Sequence, residues 1–281
     1  MHLISIFVIA LLIILQFPPN ESSSEHHFVL VHGSCHGAWS WYKLVALMKS
    51  SSGQINVTAL DLAASGIDSK QVKNLTWIAD YFKPLMEFME SVPLHEKVVL
   101  VGHSLGGLAV SKAMERFPSK ISVAVFVTAA MPGPDLNIST LNQELFRRQG
   151  SLLDSKYTYD NGPNNPPTFT FGPLFLASNV YQLSPTQDWA LATTLVRPLR
   201  MFSEEDMSRE LVLSRENYGH VKRVFIVSEK DMVLEKDLAL WMIKKNPPHQ
   251  VVEIKGSDHM VMMSEPTQLW SHLLEIATKY T

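Results

Sequence analysis

The sequence predicts an α/β fold: a mostly parallel sheet with helices on both faces and an inserted cap. Three observations carry that reading. From His27 onward, short continuous apolar runs alternate with helix-periodic stretches, the pattern of strands buried on both faces. A glycine-flanked turn, Gly102-His103-Ser104-Leu105-Gly106, stands between one such run and the helical stretch that follows. The alternation lapses between about residues 130 and 215 and then resumes. A gap of that length is too long for a structureless loop in a compact domain.

The elements follow in order. His27–Val31 is the first strand, and a helix runs from about Trp39 to Ser50. Asn56–Leu60 is the second strand, ended by Asp61 and the turn residues Ser65-Gly66. A helix from about Leu75 to Glu90 carries Trp77, Tyr81, Met86 and Phe88 and is closed by Pro93. Lys97–Val101 is the third strand, a helix runs from Ser104 to about Phe117, and Ile121–Val127 is the fourth strand. Residues 130–215 hold three breaker clusters, Met131-Pro132-Gly133-Pro134, Asn161 to Pro167 and Gly172-Pro173, with helical patches but no clear strand between them. We read this stretch as the cap. Strand Val221–Val227, a helix from about Glu235 to Lys245, strand Gln250–Ile254 and a helix from about Pro266 to Tyr280 complete the fold.

Composition bounds the function. With 281 residues, 46% of them hydrophobic and 18% charged, the chain buries a sizeable core and is neither disordered nor of low complexity. A net charge of -3 gives no electrostatic footprint for nucleic acid. The single cysteine, Cys35, excludes an internal disulfide and every cysteine-cluster zinc site.

Residues 3–15, LISIFVIALLIIL, are apolar apart from Ser5. That run is too short to span a bilayer comfortably and has the length of a signal-peptide core. Residues 1–25 are therefore read as a leader (signal peptide or short anchor) followed by a polar linker, and residues 26–281 as the folded domain. Membrane contact is expected only through the leader. Localisation is secretory or membrane-anchored if the leader acts, and otherwise cytoplasmic. Asn-x-Ser/Thr sequons at Asn20, Asn56, Asn74 and Asn137 are usable only in the secretory route.

The glycine-flanked turn is where chemistry concentrates. On a strand–turn–helix, G-x-S-x-G holds a serine hydroxyl exposed at the sheet edge, with helix N–H groups behind it, so Ser104 reads as a nucleophile. A serine needs a base and a group that orients the base. His259, in Lys255-Gly256-Ser257-Asp258-His259 after the last strand, is the candidate base. Asp231 and Glu229, in Ser228-Glu229-Lys230-Asp231 after the preceding strand, compete for the orienting role. Asp258 reads as a local turn-capping carboxylate. After the first strand, His32-Gly33-Ser34-Cys35-His36-Gly37 supplies a turn whose backbone faces the nucleophile, so the N–H groups of Ser34 and Leu105 would form an oxyanion hole. Cys35 reads as a small packing residue, and His36 and His103 as structural or pocket-lining. Lys112, Arg116 and Lys120 read as a solvated helix end.

The blocks HFVLVHGSCHGAWSWYKL (27–44), TALDLAASGID (58–68), KVVLVGHSLGGL (97–108), KISVAVF (120–126), VKRVFIV (221–227) and EIKGSDHMVMMSEP (253–266) resemble the plant methylesterase family of α/β-hydrolases. The resemblance covers residues 26–281. It implies a triad of Ser104, Asp231 and His259, which favours Asp231 over Glu229, and oxyanion donors at Ser34 and Leu105. It implies hydrolysis of a small-molecule ester, a methyl ester of a small carboxylic acid, through an acyl-enzyme, with no metal or organic cofactor. It leaves the oligomeric state open, a homodimer included. Hydroxynitrile lyases of the family place a Thr where Gly33 stands and a Lys where this chain has Met260, so cyanohydrin cleavage is disfavoured. The cap stretch Tyr159–Pro167 and Lys245-Asn246-Pro247-Pro248 resemble the methylketone synthase branch, which has lost the serine and the aspartate retained here as Ser104 and Asp231. The alternatives are a β-keto acyl ester hydrolase coupled to decarboxylation, or a hydrolase-fold ligand receptor.

Overall fold

The computed structural model describes residues 26–51, 55–159, 162 and 166–281. The leader, the linker and Asn20 lie outside the described residues, as do Asp160, Asn161 and residues 163–165 of the cap stretch. Strand β1 (His26–Val31), helix α1 (Tyr42–Ser50), β2 (Ile55–Leu60), α2 (Ile78–Ser91), β3 (Val98–Ser104), α3 (Gly106–Arg116) and β4 (Ile121–Ala129) follow in turn. The insertion contains α4 (Ile138–Arg148), β5 (Lys156–Thr158), β6 (Thr168–Thr170), α5 (Pro173–Phe175), α6 (Thr186–Leu195), β7 (Leu199–Arg200) and α7 (Glu204–Glu210). Strand β8 (Lys222–Ser228), α8 (Lys236–Lys245), β9 (Gln250–Ile254), α9 (Val261–Ser264) and α10 (Pro266–Tyr280) complete the chain.

Six strands form one sheet in the order β2-β1-β3-β4-β8-β9, and every neighbouring pair is parallel. The strands can sit in its middle because both of their faces are apolar. Phe28 and Leu30 of β1, Val99 and Val101 of β3, and Val123 and Val125 of β4 pack with Leu44 of α1, Val261 of α9 and Leu269 of α10. The alternate residues Val29, Val31, Leu100, Ala124 and Phe126 pack with Ile78 of α2, Leu108 of α3 and Leu238 of α8. Each such Val, Leu, Ile or Phe taken out of water contributes about 1.5–3 kcal/mol, so the register is strongly specified.

The structure corrects the sequence reading at three places. The helix expected from Trp39 is broken, with a 3-10 turn over Ala38–Trp41 before α1. The insertion is not strandless: β5, β6 and β7 make a small antiparallel sheet. Those strands are two or three residues long, and β5 and β6 (Lys-Tyr-Thr and Thr-Phe-Thr) contain no apolar run that pattern reading could detect. Lys120 is buried, not solvated, because its Nζ donates to the carbonyls of Met89 (3.0 Å) and Glu90 (2.8 Å). These carbonyls end α2, where unpaired C=O groups attract a cation. Lys112 similarly reaches Glu210 O at 2.9 Å. Of the sequon asparagines, Asn56 lies within β2, and Asn137 caps α4 by accepting from Thr140 N at 2.8 Å.

Candidate active site

The chain leaves β1 toward β2 on one side and returns to β3 on the other, so a crevice opens beyond the carboxyl ends of β1 and β3. Ser104 is the last residue of β3 and has φ 52°, a left-handed conformation that a side-chain-bearing residue adopts only when its surroundings enforce it. The surroundings are visible. The β3–β4 register slips between His103 and Ser104, and Ser104 O accepts from Ala130 N at 3.0 Å. Behind the serine, a Cβ at Gly106 would stand 2.4 Å from His32 O, so only glycine lets α3 start this close to the end of β1. In front, a Cβ at Gly33 would stand 2.7 Å from Ser104 Cβ. The threonine of the lyase branch therefore does not fit at this position without displacing the turn.

His259 and Asp231 lie in the loops after β9 and β8, and both are buried. His259 Nδ1 donates to Asp231 Oδ2 at 2.8 Å, which leaves Nε2 as the acceptor face of the ring. Asp231 is a buried carboxylate with each oxygen occupied. Oδ1 accepts from the N–H groups of Val233 (2.7 Å) and Leu234 (2.9 Å), and Oδ2 accepts from Thr128 Oγ1 as well as from His259. Thr128 is in β4 at φ 37°, and sequence reasoning missed it because a threonine near a strand end carries no motif. His259 is bonded through Nδ1 to Asp231 and through its carbonyl to His103 Nε2 (2.8 Å); Ser104 Oγ is not among its partners. Hydrogen bonds of this kind are often long in resting sites and tighten with substrate.

The other carboxylates are engaged elsewhere. Glu229 accepts from Gly256 N at 2.9 Å, and Asp237 pairs with Arg148. Asp258 does more than cap its own turn. Its Oδ1 accepts from Met260 N at 3.0 Å, while Oδ2 accepts from Leu183 N (2.9 Å) and Ser184 Oγ (2.8 Å) in the insertion.

Ser34 and Leu105 line one cavity of about 370 Å³, together with Phe169, Phe171, Phe175, Leu199 and Met201 of the insertion. The donor character of Ser34 N–H depends on a neighbour that the sequence reading passed over. His32 Nδ1 donates to Gly33 O at 2.8 Å and its Nε2 accepts from Leu62 N at 3.0 Å. The Gly33 carbonyl and the Ser34 N–H belong to one planar peptide and point opposite ways, so anchoring the carbonyl aims the N–H. The available signal was position alone, a histidine directly before the glycine. Cys35 is buried at φ 60° and its Sγ donates to Phe169 O at 3.5 Å. Burial pushes its thiol up to about 12, which leaves it without thiolate character.

Burial pushes His36 down to about 3 and holds His32 and His103 below the ordinary histidine range. All three are neutral when folded but take up a proton near pH 6.5 when unfolded. Their contribution to stability is complete above that pH and is lost as pH falls, down to about 3 for His36. Each histidine costs up to about 1.4 kcal/mol per pH unit across that window. Thermal melts should show Tm falling steadily from pH 6.5 toward 4, with a shallower slope in His36→Gln. A flat Tm over that range would contradict the assignment.

With this geometry established, comparison with known proteins places the chain. Residues 28–271 match the Alpha/beta hydrolase family. The chain belongs to that family, within its plant methylesterase branch. It is 55% identical to methyl jasmonate esterase 1 of Vitis vinifera over 92% of this chain and 98% of that protein. It is 46% identical to salicylic acid-binding protein 2 of Nicotiana tabacum, over 90% and 98%. Its fold superposes on the crystal structure of tomato methylketone synthase I complexed with 2-tridecanone with a TM-score of 0.87 and 57% identity, covering 92% of this chain and 99% of that one.

Proposed function

We propose that the protein is a serine carboxylesterase that hydrolyses methyl esters of small carboxylic acids through an acyl-enzyme. Ser104 Oγ attacks the ester carbonyl while His259 Nε2 takes its proton, and Asp231 stabilises the imidazolium that forms. The Ser34 and Leu105 N–H groups hold the oxyanion. His259 then gives the proton to the departing methanol, and a water activated by the same histidine releases the acid and regenerates Ser104. The insertion, about residues 130–215 of the 26–281 hydrolase domain, serves as a cap over the rest of that domain, and its aromatic side chains receive the acyl group. One observation carries the reading: the buried His259–Asp231 pair, with the ring tautomer set, at the same sheet edge as a serine on a left-handed strand-to-helix turn. The names of the relatives support the ester class.

The test is a panel of methyl esters of salicylate, jasmonate, indole acetate and a β-keto acid, assayed for acid and methanol. Multiple-turnover release of both products from at least one ester is expected, and no release from any of them would overturn the proposal. A second reading is favoured by the apolar cavity and the likeness to methylketone synthase I. In it, hydrolysis of a β-keto methyl ester yields the β-keto acid and methanol, and the acid then loses carbon dioxide to give a methyl ketone. Ketone formed faster than the free β-keto acid decarboxylates in buffer would establish that second step.

A further inference from the structure

Four consecutive residues of the insertion, Tyr181–Ser184, touch three of the four segments that carry the proposed machinery, the loops after β1, β8 and β9. Tyr181 is buried, and its hydroxyl donates to His36 Nε2 at 2.7 Å. The same imidazole donates through Nδ1 to Ser34 O at 2.7 Å, in the loop after β1. Gln182 Nε2 donates to Lys230 O at 2.7 Å, one residue before Asp231. Leu183 N and Ser184 Oγ donate to Asp258 Oδ2 at 2.9 and 2.8 Å, one residue before His259. Asp258 is fully buried, so its second oxygen depends on these donors from the insertion. The Tyr181–Ser184 turn is itself closed by Ser184 N donating to Tyr181 O at 3.1 Å.

We infer that Tyr181, Gln182 and Ser184 are positioning residues, and that this turn latches the insertion to the oxyanion, acid and base loops together. Seating of the insertion over the cavity and completion of the site are then one event. The inference rests on the esterase reading for its kinetic consequence but not for its structural one. None of the three side chains touches the reacting atoms; each acts on a neighbour of one that does.

The test compares wild type with Ser184→Ala, Ser184→Thr, Tyr181→Phe and the triple variant Tyr181→Phe/Gln182→Ala/Ser184→Ala. Loss of one latch bond is expected to lower kcat about threefold to tenfold, and loss of all three about a hundredfold, with KM changed less than twofold. Ser184→Thr, which keeps the hydroxyl, should restore the wild-type rate. Amide hydrogen exchange provides a readout that needs no substrate. In the triple variant, segments 33–36, 229–233 and 257–261 should exchange faster together, while β4 stays protected. Unchanged exchange in those segments, or equal acceleration in β4, would overturn the latch, since the first means no coupling and the second mere destabilisation. Loop exchange as expected, in a protein that hydrolyses no ester, would sustain the latch and overturn the esterase reading.

Discussion

Replacing Ser104 with alanine is expected to lower kcat for a hydrolysed methyl ester by about five orders of magnitude. The size follows from the role: without the hydroxyl no acyl-enzyme forms, and the remaining oxyanion donors and cavity supply only the residual rate. The fold should tolerate the change. Ser104 sits at φ 52° because of its place between β3 and α3, and alanine meets the same backbone demand. Tm should therefore stay within a few degrees of wild type, and KM or ligand Kd should change little. Retention of more than a few per cent of the activity would remove the serine from the mechanism.

Asp231→Asn is expected to lower kcat by about four orders of magnitude, the scale the same exchange causes in other Ser-His-Asp enzymes. The hydrogen bonds show why. One carboxylate oxygen is held by the N–H groups of Val233 and Leu234, which fix it as an acceptor. An asparagine placed there keeps its oxygen on that side and turns its amide nitrogen toward His259 Nδ1 and Thr128 Oγ1. The ring must then accept at Nδ1 and carry its proton on Nε2, the wrong tautomer to receive the serine proton. Thr128 can rotate its hydroxyl, so folding should survive. A loss of tenfold or less would mean that Asp231 does not set the tautomer.

Much of this site was legible in the amino-acid sequence because it is local. Ser104 sits in a motif whose neighbours, an apolar run and a helix, can be recognised without a structure. His259 and the pair Asp231 and Glu229 were candidates because parallel strands deliver the loops after β8 and β9 to the same sheet edge, and the family resemblance favoured Asp231. Their separation along the chain is irrelevant once the strand order is known. The fold class was equally open to reading, since the apolar runs of β1, β3 and β4 have no polar face to confuse them.

What escaped was set by contacts between distant segments. Thr128 becomes a partner of Asp231 only through the β4–β8 pairing. Asp258 looks like a turn cap until the insertion folds back and brings Leu183 and Ser184 to it. Lys120 looks solvated until the last carbonyls of α2 are placed over it. The short strands of the insertion have too few residues to show a period. His32 was read only as part of a loop, yet it anchors the peptide that carries the proposed oxyanion donor Ser34 N–H.

The central claim is that Ser104 is a nucleophile activated by His259. It is tested most directly by locating the adduct of an organophosphonate ester, which reacts with an activated serine and mimics the tetrahedral state. Intact-mass and peptide mapping should find one adduct per chain, on Ser104, formed rapidly in the wild type and lost in both Ser104→Ala and His259→Ala. An unlabelled Ser104 in protein that still hydrolyses methyl esters, or label found at Cys35 instead, would contradict the claim.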